Sequence, residues 1–390
     1  MSAPRVALAH DFLTQRGGAE RVFLAMARAF PESPILTTLY EPSATYPEFA
    51  DHEVRTSPLQ RVRPLRRHFR AGLPLYPWAV RRLGPVDADV LVSSSTSFAH
   101  GMRSQGCHIG YLYSPPHWLW DTARYVGASR SAVLAKRLLG RMRTLDLAAA
   151  ATPHLFVTCS ANAAGKIYDT YGRWAEVLPP PVRRRPAVAE QGDFFLVVSR
   201  LLPSKGIDAA IGAAGLLGAR LVVVGRGPDS GRLHALAGSG VEFRERVVDA
   251  ELDDLYARCV ALVMPGDEDL GLVPIEANSA GRPAVCLARG GALETVVPGE
   301  TGLLVDTADA GTLAEALAAA AGRAWDADAL QRHADGWSEE AFARKLRLLV
   351  EHFPGWCRRC GGEGLGPYPM QAVLDRYGDA AGAQETAEAH

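Results

Sequence analysis

Residues 194–224 read FFLVVSRLLPSKGIDAAIGAAGLLGARLVVV. The apolar run Phe194–Ser199 is broken at Pro203 and Gly206, gives way to an Ala- and Leu-rich stretch from Ile207, and is followed by a second β-branched run, Leu221–Val224. Continuous apolar runs of this length fit strands buried on both faces, and the segment between them has a helix's length and composition. Strand, helix, strand is the unit from which parallel sheets are built. Downstream the alternation continues: a helix near Arg232, a strand at Val241–Phe243, a helix from Leu252, a strand at Ala261–Met264, a helix from Pro274 and a strand at Ala284–Leu287. Upstream the same reading predicts strands at Val6–Ala9, Ile35–Leu39, Val90–Ser93 and Ile109–Tyr113, with a helix over Ala19–Phe30. The fold class is α/β, with parallel sheets covered by helices on both faces.

At 390 residues the chain exceeds the roughly 250–300 at which one core stops growing, so two domains are expected. Between the two α/β halves, Leu178-Pro179-Pro180-Pro181-Val182-Arg183-Arg184-Arg185-Pro186 can form neither a helix nor a central strand. The expected division is a first domain over 1–178, a linker over 179–186 and a second domain over 187–335. A helix over 336–354 should end at Pro354 and pack back on the first domain, and a Gly-rich, mobile tail should fill 355–390. Ligands of open α/β sheets bind at the carboxyl ends of the strands. Two such domains facing each other would enclose a cleft able to hold two substrates.

Hydrophobic content of 48% with 22% charged residues describes a globular chain, not a disordered one. Apolar runs stay short of the ~18 residues of a membrane span, and the N-terminus enters strand pattern without a cleavable signal, so a cytoplasmic location is expected. Cys107, Cys159, Cys259, Cys286, Cys357 and Cys360 are scattered as buried free thiols would be, without a disulfide framework. Cys357-x-x-Cys360 lacks a second pair to complete a zinc site, and no metal is expected. The net charge of −1 conceals an asymmetry: residues 1–180 hold 21 Lys and Arg against 13 Asp and Glu, the remainder 21 against 30. Arg61–Arg82 contains seven arginines among Leu, Tyr and Trp with no acid, and Arg130–Arg143 is a second basic stretch. Such segments suit either a solvated face or an anionic membrane, and without a nucleic-acid-binding motif no nucleic acid is expected.

Chemistry concentrates at Pro265-Gly266-Asp267-Glu268-Asp269-Leu270-Gly271-Leu272-Val273-Pro274-Ile275-Glu276-Ala277. Two glutamates with seven residues between them follow a buried strand and enter a helix whose Pro274 suits its first turn. Arg200 and Lys205 follow the first strand of the same half, at the strand's carboxyl end where ligands of such sheets bind. In the first half, His10-Asp11-Phe12-Leu13 and Arg16-Gly17-Gly18-Ala19-Glu20-Arg21 lead from strand to helix, with two glycines that let a ligand approach the backbone.

In these segments the chain resembles glycosyltransferase family 4, whose Glu-x7-Glu signature sits in this strand, loop and helix setting; the resemblance extends over nearly the whole sequence, including Arg289-Gly290-Gly291 and Pro298-Gly299-Glu300-Thr301-Gly302. It implies a GT-B fold of two Rossmann-like domains facing a cleft. It assigns Glu276 to the ribose hydroxyls of a donor nucleotide, Glu268 to the transferred sugar, and Arg200 and Lys205 to the diphosphate. Gly17 and Gly18, with the amides of Gly271, Leu272 and Val273, are assigned to the donor as well. Tyr111-Leu112-Tyr113-Ser114-Pro115-Pro116-His117 resembles a subset acting in surface-polysaccharide assembly, with Tyr113 where many members carry histidine. Tyr113, His100 and His117 form the expected acceptor side.

The implied activity is that of a retaining hexosyltransferase, moving mannose or a similar hexose from a nucleotide-sugar to a sugar or lipid-linked acceptor in cell-surface glycan biosynthesis. No cofactor is implied, and the protein would work in the cytoplasm or at the inner face of an anionic membrane. Two other readings stay open: a GT-B nucleotide-sugar epimerase and a non-catalytic nucleotide-sugar-binding protein.

Overall fold

The computed structural model describes residues 3–121, 132–187, 190–359, 368–370 and 372–373. The chain divides into two units, Met1–Pro180 with Glu340–His390, and Pro181–Glu339.

The first unit is built on seven strands, β1 (Val6–His10), β2 (Ile35–Thr37), β3 (Val54–Thr56), β4 (Val90–Ser95), β5 (Cys107–Leu112), β6 (Leu155–Thr158) and β7 (Ala175–Val177), in the order β3-β2-β1-β4-β5-β6-β7. Every pairing is parallel. One core joins Ala7, Ala9, Leu36 and Leu91 to Tyr76, Val80 and Met142 of the covering helices. β3 and β7 escape the periodicity reading because each is a three-residue edge strand with half-exposed or exposed positions.

The second unit contains β8 (Phe194–Val198), β9 (Arg220–Val224), β10 (Val241–Arg244), β11 (Leu262–Met264), β12 (Ala284–Leu287) and β13 (Gly302–Val305), in the order β10-β9-β8-β11-β12-β13. Again all pairings are parallel. Side chains alternate between two cores, as strand geometry requires. Phe195, Val197, Leu221, Val223, Val263 and Val285 pack on Ile207, Ile211, Leu313 and Leu317 of two helices. Phe194, Leu196, Val222, Val224, Leu262 and Cys286 pack on Leu255, Tyr256 and Ala277 of two others. Because both faces are covered, β8, β11 and β12 are uninterrupted apolar runs, whereas the edge strand β10 carries Glu242 and Arg244.

The C-terminal helix spans Glu339–Arg359 and runs through Pro354 rather than ending there. Proline removes one helical N–H, but burial of Phe353 and Cys357 on either side carries the helix across. Arg347 donates to the carbonyl of Ala29, and Phe342 meets the Tyr111 ring edge-on, both within the first unit. Part of the stretch expected to be a loose tail is ordered: Tyr368 is buried against Phe353 and Trp356. Cys360 and residues 374–390 lie outside the described residues. Cys107, Cys159, Cys259, Cys286 and Cys357 are buried free thiols. Among the described residues no helix is long and apolar enough to cross a membrane.

Candidate functional site

In the second sheet β8 lies beside β11, with β9 and β10 on one side and β12 and β13 on the other. The winding direction reverses there, and such switch points, at the carboxyl ends of the strands, are where open α/β sheets bind their ligands. Lys205 ends a one-turn 3-10 helix, Pro203–Lys205, after β8, and Glu268 stands on the loop after β11. Their side chains form an ion pair. Glycine permits the approach of the two loops, since a Cβ on Gly266 would lie 2.8 Å from the Cα of Lys205. The Glu268 carbonyl accepts from the Gly291 amide at 2.9 Å, and a Cβ on Gly291 would fall 2.1 Å from the Cα of Leu270. Gly271 has φ of +75°, a left-handed conformation that side chains resist. Leu272 then precedes the helix Val273–Ser279, which carries Glu276. Arg200 is exposed just after β8.

Glu276 is gripped from within the unit. Tyr256 donates its hydroxyl to Oε2 at 2.6 Å, and Nη2 of Arg185 stands 3.0 Å from the same oxygen. Burial first, and then the adjacent Glu276 charge, push the Tyr256 phenol well above its ordinary range, so it stays a donor. Arg185 also pairs with Asp253, and its guanidinium lies 4.3 Å from the centroid of the Tyr256 ring. Asp253 and Tyr256 share the helix Asp249–Arg258, where a three-residue spacing places them on one face. Residues 182–185, read as linker, are therefore part of this unit's packing: the Val182 amide donates to the Trp337 carbonyl at 2.7 Å, and Val182 packs on Ile275. Arg185, Asp253 and Tyr256 were not legible as site residues. Arg185 looks like its neighbours in an arginine run, and Tyr256 like an ordinary core aromatic.

In the first unit the corresponding reversal lies between β1 and β4. Gly17 precedes the helix Gly18–Ala29 with extended backbone. A Cβ on Gly17 would strike Glu20 at 2.4 Å, whereas one on Gly18 would meet open space. Tyr113 donates its hydroxyl to the Ala19 carbonyl at 3.0 Å and shares a 3.1 Å hydrogen bond with Ser94, which also meets Nδ1 of His10 at 3.1 Å. Tyr113 thus reaches the start of the Gly17-Gly18 helix. The structure does not place His100 beside it as a surface group. That residue is 0% exposed, bonded through Nδ1 to Ser95 at 3.0 Å and set 3.5 Å from Asp146. Burial lowers the His100 pKa against the pull of Asp146, and burial likewise raises that of Asp146. As folded, His100 is a core residue and cannot touch an acceptor. His117 opens the short helix His117–Trp120 and is half-buried.

Residues 181–323 match the family model described as glycosyl transferases group 1. The match covers most of the second unit and leaves the first unit outside it. A D-inositol 3-phosphate glycosyltransferase of Acidothermus cellulolyticus is 32% identical over 218 residues, covering 47% of this chain and 48% of the relative. A GDP-mannose-dependent alpha-(1-6)-phosphatidylinositol monomannoside mannosyltransferase of Mycobacterium tuberculosis is 33% identical over 194 residues, covering 38% and 50%. The chain thus spans about half the length of the curated relatives it matches. Among solved structures, Anabaena HepE in complex with UDP and glucose superposes with a TM-score of 0.63 at 17% identity, over 88% of this chain and 98% of that one. Sucrose-phosphate synthase from Thermosynechococcus elongatus does so with a TM-score of 0.65 at 18% identity, over 90% and 99%. These likenesses show the GT-B fold, two Rossmann-like units in one chain.

Within the second unit, the loops after β8 and β11 bring a cation, a carboxylate and a glycine-bounded stretch of backbone together at the carboxyl end of the sheet. That combination can orient a polyol and hold a phosphorylated leaving group, the two requirements of glycosyl transfer from an activated sugar.

Proposed function

We propose that this chain is a retaining glycosyltransferase that moves a hexose, mannose or a similar sugar, from a nucleotide-sugar to a sugar or lipid-linked acceptor in cell-surface glycan assembly. The observation that carries the reading is the Lys205–Glu268 pair at the β8/β11 reversal, with Glu276 pinned on the adjoining helix. Glu276 accepts hydrogen bonds from the ribose, and Glu268 orients the sugar. Arg200 and Lys205 stabilise the negative charge that grows on the departing nucleoside diphosphate, without a divalent ion. The amides of Gly271, Leu272 and Val273 contact sugar and phosphate. The acceptor oxygen bonds the anomeric carbon on the face the diphosphate leaves, and its proton passes to the leaving phosphate oxygen. No protein nucleophile takes part, so catalysis rests on positioning and electrostatics. Similarity to GDP-mannose-dependent relatives and to a UDP-bound structure supports a nucleotide-sugar and leaves both bases as candidates.

Peripheral contact with an anionic membrane is part of the proposal. Within the acid-free stretch Arg61–Arg82, Val62, Leu75 and Trp78 are 44%, 47% and 45% exposed, beside the exposed Arg63, Arg67, Arg70, Arg81 and Arg82. Each arginine near such a surface contributes about 1 kcal/mol. Arg130, in the second basic stretch, lies outside the described residues.

The test is product analysis by NMR after incubation with GDP-, UDP- and ADP-hexoses, with and without sugar acceptors and lipid-linked acceptors in phosphatidylglycerol vesicles. Acceptor-dependent product with the donor's anomeric configuration is expected, and vesicle co-sedimentation should weaken as salt rises. Inverted product would contradict the retaining mechanism. Donor epimerised in the absence of acceptor would favour the epimerase reading, and binding without turnover the non-catalytic one.

A further inference from the structure

Two donors reach Glu276 from inside the second unit, and both close on a single oxygen. Tyr256 and Arg185 share Oε2 at 2.6 and 3.0 Å, while Oε1 takes no hydrogen bond or ion pair among the described residues. The Arg185 side chain is 2% exposed and that of Glu276 17% exposed, so the grip lies on the interior side. Arg185 is held in turn by Asp253 and by the face of the Tyr256 ring. A guanidinium suits this place because its planar fork bridges two carboxylates in fixed directions while stacking on an aromatic face, which an ammonium cannot do. Its Nε is buried without a partner among the described residues. Such an orphaned charged donor is costly in a group that serves packing alone, and points to a demand on Arg185 beyond stability.

We infer that Arg185 is a positioning residue for nucleotide recognition: with Tyr256 it locks Oε2 of Glu276 inward, leaving Oε1 set to accept the vicinal hydroxyls of a ribose. The inference rests on the nucleotide-sugar reading above. An unrestrained glutamate loses rotamer freedom each time it binds, whereas one pinned beforehand has already lost it. Arg185 would therefore act on affinity for the ribose through Glu276, without touching the ligand.

The experiment measures dissociation constants by calorimetry for UDP and GDP, each against its 2′,3′-dideoxy analogue, with wild type, Arg185→Met, Arg185→Lys, Tyr256→Phe and Glu276→Ala. Wild type should prefer the ribose form of its nucleotide by about ten- to a hundredfold, the range of one hydrogen bond to an ionised group. In Arg185→Met and Glu276→Ala that preference should fall to within about threefold of unity while dideoxy affinity stays unchanged. Tyr256→Phe, which keeps the ring and loses one donor, should retain part of it and decides the matter if Arg185→Met does not fold. Arg185→Lys should not restore wild-type preference. Full preference in Arg185→Met or in Tyr256→Phe overturns the inference, as does equal loss of both ligands in Arg185→Met. Wild type that binds without ribose preference overturns the inference alone, whereas wild type that binds neither nucleotide removes the nucleotide-sugar reading and the inference with it.

Discussion

Replacing Lys205 with alanine should lower kcat by about a hundred- to a thousandfold, the loss seen when one preorganised charge-stabilising donor is removed from an active site. The magnitude follows from position. Lys205 is fixed at the end of the Pro203–Lys205 turn by the hydrogen bond its backbone amide donates to the Leu202 carbonyl at 3.0 Å, and its side chain is only 12% exposed. A cation held there before substrate arrives pays no reorganisation cost as charge develops on the leaving group. Because the interaction strengthens between ground state and transition state, kcat and kcat/KM should fall together. Steady-state kinetics with the preferred donor provides the check, with circular dichroism to confirm folding. A change of less than about threefold in kcat would assign Lys205 to holding Glu268 in place and nothing more.

The second large effect concerns stability. Asp11, at the carboxyl end of β1, accepts four backbone amides: Thr96 and Ser97 on Oδ2 at 2.6 and 2.8 Å, Phe98 and Ala99 on Oδ1 at 2.8 and 2.7 Å. One carboxylate therefore satisfies the whole turn leaving β4. Asp11→Ala should leave these donors without their acceptor in a site where Asp11, Ser97, Phe98 and Ala99 are all buried. At about 1–3 kcal/mol for each unsatisfied buried group, the loss should reach about 4 kcal/mol or more. For a unit of this size that lowers the melting temperature by roughly 10 °C. Calorimetry of the variant measures it, and a shift under about 3 °C would mean that water or a rearranged turn replaces the carboxylate. Asn, which keeps an acceptor but loses the charge, should fall between.

The parallel sheets were readable because burial on both faces leaves strands such as Phe194–Val198 and Val90–Ser95 without exposed positions. Short strands at the sheet edges, Val54–Thr56 and Ala175–Val177, carry too few residues and too much exposure for periodicity to register. The Glu268, Glu276 and Lys205 positions were legible from loop chemistry placed directly after strands, where α/β folds keep their ligands. Arg185 was not, since nothing local separates it from Arg184, whose side chain is 71% exposed while that of Arg185 is 2% exposed. The difference is set by Asp253 and Glu276, some 70 and 90 positions away along the chain. His100 entered through the resemblance around Tyr113, and only the packing of Asp146, Phe156 and Tyr171 around it makes it a core residue.

The central claim, that the second unit binds a nucleotide-sugar through Glu276 and Arg200, is tested most directly by thermal stabilisation of the purified chain across GDP-, UDP- and ADP-sugars, with Glu276→Ala and Arg200→Ala beside wild type. The account predicts stabilisation by one nucleotide class, lost in both variants. No response to any nucleotide-sugar, or a response that both variants retain in full, would contradict it.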